Sequence, residues 1–321
     1  MTRRSRTPTR ARRGFALLSA LWIMVMLSGV GLHVATRARG DRLSVANRIE
    51  ALRARAAADA GVEHARARLA ARLQAAANTG QAGGLVAPLR FVELVLPDTI
   101  RIGDARYAVR LRDASARLLL HRASSAELAA LFIALRVDAG IADRLSQAIA
   151  DWQDPDGLKH PRGAEREDYL RAGARELPRD GPIFRLDELL GLRDMTPALF
   201  ARIEPHLTTS GSGRVNPNTA SEAVLASLPA FTPDVINTLV RLRSGGILIS
   251  SAEQMLAALP SSVRNRVADR SAEWVPRLTF ETTEIEFEAE GWLEQGPARV
   301  VVRGTFVRAG TVMLTTDRRV R

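Results

Sequence analysis

From Phe15 to Thr36 the chain runs for 22 residues without an Asp, Glu, Lys or Arg. As a helix rising about 1.5 Å per residue, such a run reaches roughly 33 Å, the depth of a bilayer's hydrocarbon core. A soluble core helix rarely goes so far without a charge, so the run predicts a membrane span. Residues 1–14 carry six arginines and no acid, a bias that holds this end in the cytoplasm and sends the remainder across. A secretory signal peptide would have a shorter apolar region followed by small residues at a cleavage site. Here the run is followed by Thr36-Arg37-Ala38-Arg39. Its sharper feature is Gly14-Phe15, a glycine set between the basic leader and the first apolar residue.

The net charge of +11 suggests a nucleic-acid partner until it is divided along the chain. The leader takes six of the 46 basic residues and none of the 35 acids, and residues 37–72 hold nine arginines against four acids. The rest, 31 basic against 31 acidic residues, is neutral. With no cysteine there is neither a disulfide framework nor a thiolate metal site. Arginine almost wholly replaces lysine, of which Lys159 is the single example. That imbalance reads as coding bias rather than function.

Residues 37–77 are rich in Ala, Arg and Leu and contain no proline, so one continuous helix is expected from Phe15 to about Ala77. Its first half would lie in lipid. Its second half would pack on a sheet through a small apolar stripe, Leu43, Ala46, Ile49, Arg53, Ala56, Ala60 and Leu69. A loop begins at Asn78 and carries Gly80, Gly83 and Gly84. Strand-like runs follow at Leu89–Leu96 and around Tyr107, Val109 and Leu111, which alternate with Ala108, Arg110 and Arg112. Between 124 and 275 the texture turns to short helices, one opened by the cap Ser124-Ser125-Ala126-Glu127 and running through Ile133, another spanning Asp138–Ile149. Strand texture returns at Leu278–Phe287, Trp292–Phe306 and Thr311–Thr316. The expected fold class is α+β: a long N-terminal helix on a small β-sheet, with a large α-helical domain inserted between strands. The divisions are a leader at 1–14, a transmembrane helix at 15–36, a first α/β part at 37–123, the helical insertion at 124–275 and a second α/β part at 276–321.

Six carboxylates fall within residues 151–168, around Asp154-Pro155-Asp156-Gly157. Hard cations such as calcium take several oxygen ligands, and a glycine-containing turn can gather them. An EF-hand register fails, because its first ligand position would be Trp152. The plain alternative is a solvated loop capping a helix that ends near Ala150. Asn216-x-Asn218-Thr219-Ala220, leading to Leu228-Pro229, has the look of a helix-hairpin-helix DNA module. Such a hairpin offers backbone N–H groups to phosphate, yet its position here reads Ala230-Phe231-Thr232-Pro233, without a glycine. The preferred reading makes Asn216 and Thr219 caps of a packed helix pair. The five histidines are scattered, and there is no Gly-x-Ser-x-Gly elbow or phosphate-cradling loop. Nothing in this pattern points to an enzyme.

Gly14-Phe15 after a basic leader resembles the class III leader of type IV prepilins and type II secretion pseudopilins. The resemblance implies a cut after Gly14 by the prepilin peptidase and methylation of Phe15. Most members of those families have Glu at the fifth mature position, where this chain has Ser19; minor pseudopilin K of the general secretion pathway typically lacks that glutamate. Three further segments resemble protein K: Asp151-Trp152-x-Asp154-x-Asp156 followed by Gly163-Ala164-Glu165 and Tyr169; Leu186-Asp187-Glu188-Leu189 before Gly191-Leu192; and Val215-Asn216-Pro217-Asn218-Thr219-Ala220. The family implies a pilin-like sheet interrupted by an α-domain, no required cofactor, and an associated structural calcium, for which Asp154, Asp156, Glu165 and Asp168 are the candidates. Arg166 stands where the pattern favours an acid. The implied protein is a single-pass inner-membrane subunit with a cytoplasmic N-terminus and a periplasmic body. Its implied partners are other minor pseudopilins of the pseudopilus tip, the prepilin peptidase and the inner membrane, with no nucleic acid. The rival readings are a membrane-anchored helix-hairpin-helix DNA-binding protein and a minor pilin of a type IV pilus.

Overall fold

The computed structural model describes residues 11–78, 99–174, 176–310 and 312–320. The first element, α1 (Ala11–Asn78), is one helix of 68 residues, as the absence of proline and the density of alanine require. Its N-terminal half is bare: from Leu18 to Arg53 nearly every residue is exposed, Trp22, Met26 and Leu27 by about two thirds. Burial begins at Ala54 and continues through Ala58, Val62, Ala65, Leu69 and Leu73, the three- and four-residue spacing of one helix face.

This face differs from the expected stripe. Leu43, Ala46, Ile49, Arg53 and Ala56 are exposed, Ala60 is half-buried, and Leu69 alone of that set is buried. An alanine-rich helix carries small apolar residues all round, so its sequence does not single out a face. The sheet selects the face by shape instead.

The sheet is antiparallel, with strand order β1-β2-β5-β6-β7, where β1 is Ile100–Ile102, β2 Ala105–Asp113, β5 Glu284–Leu293, β6 Arg299–Ala309 and β7 Val312–Val320. The predicted run from Trp292 to Phe306 divides into the end of β5 and most of β6, because residues 294–298 turn the chain. The strand expected at Leu89–Leu96 and most of the loop before it lie outside the described residues. Alternation decides the two faces of the sheet. Tyr107, Ile285, Phe287, Ala289, Val302 and Phe306 turn towards α1, and the Phe287 and Phe306 rings stack at 4.4 Å. The opposite face is a ladder of charges: Glu288 meets Arg110 at 3.0 Å and Arg303 at 2.7 Å, and Glu290 meets Arg299 at 2.8 Å. Exposed pairs of this kind contribute little each. Their role is to keep that face wet.

Where α1 crosses β5, no side chain intervenes. A Cβ on Gly291 would stand 2.2 Å from the carbonyl oxygen of Ala54 and 2.4 Å from the amide nitrogen of Ala58. Glycine is required there by contact with backbone, which cannot give way as a flexible side chain can.

Strands β2 and β5 are neighbours in register from Ala105–Leu293 to Asp113–Ile285, although the chain between them builds a second, mostly helical body. Its elements are β3 (Leu118–Leu119), α2 (Ser125–Ala134), α3 (Ala139–Gln153), α4 (Arg166–Arg171), α5 (Pro197–Ile203), β4 (Leu207–Thr208), α6 (Glu222–Ala226), α7 (Pro233–Ser244), α8 (Ala252–Ala258), α9 (Ser261–Asp269) and α10 (Ser271–Trp274). The caps explain the boundaries. Ser124 and Glu127 close a capping box on α2, and Asp138 accepts from Gly140 and Ile141 at the start of α3. This body has its own core, from Leu118 to Leu278 and centred on residues such as Leu131, Phe132, Ile149 and Trp274. It is separate from the clusters under the sheet.

Candidate functional site

The carboxylate-rich segment is partly helix and partly loop. Helix α3 runs past Ala150 and carries Asp151 in its last turn, where the carboxylate is fully buried. One oxygen, Oδ1, accepts the His160 backbone N–H at 3.1 Å and also pairs with His160 Nδ1. The other, Oδ2, is buried and has no hydrogen-bond partner. Gly163 lies against it; a Cβ there would come within 1.8 Å of Oδ2. Asp154 Oδ1 and Glu165 Oε1 are likewise buried without partners. Ligand atoms of Asp151, Asp154 and His160 lie within 4.8 Å of one another.

Burial pushes the Asp154 carboxyl up from the ordinary range, and repulsion from Asp156 and Asp151 adds to it. Burial raises Glu165 too, assisted by Asp151 and Asp154. Asp151 and Asp154 thus share a site with His160, and Glu165 lies near enough to feel their charge. Each of the three carboxylates keeps an oxygen that no donor satisfies, which is costly unless a cation or protons relieve it. The donors are hard oxygens, the set a calcium-like ion takes. The orphaned oxygens fit such an ion.

Of the four acids named from sequence, Asp154 and Glu165 fall in this group. Asp156 accepts the Leu158 N–H at 2.8 Å in an exposed turn. Asp168 is occupied by Lys159 at 3.0 Å, by Arg171 at 2.8 Å and by the Glu165 N–H at 3.1 Å, and the Lys159 contact holds its pKa low. Asp151 stands in the carboxylate-rich segment read from sequence but not among the four candidate ligands, and the histidine spacing did not reveal His160. The available signal for Asp151 was its place three residues before Asp154, on the far side of a helix end drawn one turn too early. Beside the group, Trp152 meets Tyr169 edge-to-face at 5.2 Å, and burial pushes the Tyr169 hydroxyl up to about 12.

A second buried carboxylate ties the helical body to the sheet. Asp113 ends β2, is 1% exposed, and accepts four hydrogen bonds: Ser115 N–H at 2.9 Å, Asn216 Nδ2 at 3.0 Å, Thr219 Oγ1 at 2.7 Å and Thr282 Oγ1 at 2.8 Å. Burial raises its pKa, and the four donors oppose that rise. The Asn-x-Asn-Thr segment therefore does not cap the helices as expected; Ser221 is the cap of α6. Asn216 and Thr219 bind Asp113, while Asn218 exchanges two hydrogen bonds with the backbone of Ile249, at 2.8 and 2.9 Å. The chain leaves the sheet beside Asp113 and returns beside Thr282, so one carboxylate pins both crossings. Nearby, the buried Arg117 pairs with Glu286 of β5 and donates to the Leu207 carbonyl at 3.2 Å. Burial lowers its pKa to about 10.

The long apolar helix, the pinned helical body and the carboxylate group can now be set against known proteins. Residues 111–211 match the family model of type II secretion system (T2SS) protein K. Five chains of solved structures match, among them one from the crystal structure of the GspK-GspI-GspJ complex of the enterotoxigenic Escherichia coli type 2 secretion system. That match has a TM-score of 0.61 at 15% identity and covers 89% of this chain and 99% of that one. Residues 111–211, under half of the chain, are thus similar to type II secretion system protein K, and the structural match extends the likeness in fold to most of the chain. No curated protein sequence matches it.

The family match covers Asp113, Asp151, Asp154 and Glu165. The DNA-binding and type IV pilin alternatives are not favoured. Here the hairpin residue Ala230 takes a left-handed φ of 66° and Phe231 is buried. The Arg243 guanidinium is turned inward onto the Ala220 carbonyl. Helix α1 carries an 18-residue window of mean hydropathy 1.8 near its N-terminus, none of it buried, which fits a single-pass membrane anchor.

The carboxylate group makes a signed pH prediction. Asp154 and Glu165 have raised pKa values, so the folded chain holds their protons more tightly than the unfolded chain, whose values lie near 4. Their contribution to stability is complete below about pH 4 and is lost as pH rises through the folded-state values. With a chelator present, the Asp154→Asn/Glu165→Gln variant should melt higher than the parent at pH 7, and the gap should close towards pH 4. Melting curves that stay parallel across this range would contradict the assignment.

Proposed function

We propose that this chain is a minor pseudopilin of the protein K type, made as an inner-membrane precursor, cleaved after Gly14 and methylated on Phe15, with its body in the periplasm. The observation that carries the reading is the continuity of α1, which runs without a break from the uncharged stretch at Phe15 to the face that packs on the sheet. One rigid rod thus joins an anchor to a folded body, the form a subunit needs if it is to stand upright among parallel helices. The solved neighbour was crystallised as a GspK-GspI-GspJ complex, which supports other minor pseudopilins as partners here. Placement at the tip follows from Ser19, because a subunit without an acid at the fifth mature position does not offset the positive N-terminus of a neighbour in low dielectric. The role is structural and not catalytic, and no nucleic acid takes part.

Within this reading the group of Asp151, Asp154 and Glu165 holds a structural calcium, with His160 steering Asp151. The ion would neutralise the three carboxylates and fix the loop between α3 and α4. Calcium at 100 times its dissociation constant would add about 2.7 kcal/mol of stability. It should raise the melting temperature at pH 7 for the parent and not for the Asp154→Asn variant. Equal responses would remove the ion from this site.

The processing and partner claims meet in one experiment, isolation of the protein from its native membrane followed by intact mass and identification of co-isolated subunits. The expected chain begins with N-methylated Phe15 and brings other minor pseudopilins with it. An uncut chain isolated alone, with the peptidase present, would overturn the proposal.

A further inference from the structure

We propose that Arg37, Arg39 and Arg42 form a collar that binds the headgroups of anionic phospholipids at the outer end of the membrane span; the idea rests on the anchor reading above. The uncharged run ends at Thr36, and over residues 37–48 the helix carries Arg37, Arg39, Arg42 and Arg48 against one acid, Asp41. All five side chains are exposed. Among the described residues, the ion pairs of α1 begin farther on, where the sheet begins: Arg53 with Asp104 at 3.3 Å, Arg55 with Asp59, and Arg66 with Glu63. Among the described residues, the arginines of the bare stretch have no such partners and the folded body does not reach them.

Depth identifies the occupant. At about 1.5 Å per residue, Arg37, Arg39 and Arg42 stand roughly 1.5, 4.5 and 9 Å beyond the end of the apolar run. A headgroup layer is about 5–8 Å thick on each side of the hydrocarbon core, so these three guanidiniums lie in it or at its edge. Arg48, about 18 Å out, lies beyond it. Direction excludes a single protein helix as the common partner. At about 100° per residue, Arg39 and Arg42 point to one side of α1 and Arg37 to nearly the opposite side. A neighbouring helix covers one side only, whereas lipid surrounds the rod. Guanidinium forks also match phosphate oxygens in geometry as well as charge.

The collar matters most after cleavage. The precursor carries basic residues on both flanks of the span, six in the leader and these beyond Thr36. Removal of the leader leaves the arginine charge on the body side alone. The collar then sets the depth of the anchor, resisting both sinking into hydrocarbon and withdrawal from the headgroups. It also fixes the height of the body, since Ala54, the first buried residue of α1, lies about 27 Å beyond Thr36 along the helix.

The test uses the full chain and its Arg37→Gln/Arg39→Gln/Arg42→Gln variant, reconstituted in vesicles of phosphatidylcholine mixed with phosphatidylglycerol. Glutamine keeps helix propensity at these exposed sites, so the fold is retained. The readout is the relative association of spin-labelled phosphatidylglycerol and phosphatidylcholine with the inserted helix. The parent should prefer phosphatidylglycerol by at least about threefold more than the variant, from the attraction of each basic residue to an anionic surface. That difference should shrink in high salt. Equal preference in parent and variant would overturn the collar, because the leader contributes identically to both. A variant that keeps the lipid preference but loses co-isolated subunits would also overturn it, assigning the arginines to protein contacts. Resistance to alkaline wash separates the two layers of the argument: a chain stripped from the vesicles defeats the anchor reading and the collar together, whereas an inserted chain without preference defeats the collar alone.

Discussion

The structure depends on one close crossing, that of α1 over β5 at Gly291. With the Ala54 carbonyl and the Ala58 amide against it, the sheet meets the backbone of the helix rather than its side chains. Before this point α1 is bare almost all round, and beyond it one face is packed, through Val62, Ala65, Leu69 and Leu73 onto Phe287 and Phe306. Small residues at the crossing and larger ones beyond it let a straight rod lie across a twisted sheet. The same rod therefore carries the bare apolar stretch and half of the sheet's core, and neither is adjustable without the other.

The inserted body is attached differently. Its core is separate from that of the sheet, and the bonds between the two bodies are polar: Asp113 with Asn216, Thr219 and Thr282, and Arg117 with Glu286. Buried polar networks specify a single geometry, because breaking any member leaves another unsatisfied. Such a joint is fixed in angle without requiring the two cores to merge. At the far end of α3 the Asp151, Asp154 and Glu165 group applies the same logic in reverse. It is unsatisfied by protein donors and suited to completion from outside.

Local signals in the sequence were strong where one chemical contrast dominates. The uncharged run from Phe15 to Thr36 as helix, the Ser124–Glu127 capping box, the Asp138 cap and the alternation at Tyr107, Val109 and Leu111 as strand each state their local structure within a few residues, and the fold has each of them. The packed face of α1 was not legible, because alanine on every side of a helix gives no contrast to read. Asp113 was invisible for another reason. Its partners lie far along the chain at Asn216, Thr219 and Thr282, and an aspartate at a strand end looks like any turn residue. Asp154 and Glu165 were readable as carboxylates near a glycine turn, but the three-dimensional return of the loop past Gly163 decides which acids face each other. The helices of the inserted body were visible as a texture, and their order of packing was not.

The most direct test of this account is hydrogen exchange on the full chain in detergent, comparing the parent with Gly291→Ala. Overpacking of this kind costs about 1–3 kcal/mol. The amides of α1 from 54 to 73 should therefore exchange roughly 10- to 100-fold faster in the variant, at about 1.4 kcal/mol per decade. Those of the helical body between 118 and 278 should keep their protection, since its core is separate. Unchanged protection of α1 in the variant would contradict the account, because the helix and sheet would then be held together by something other than this crossing.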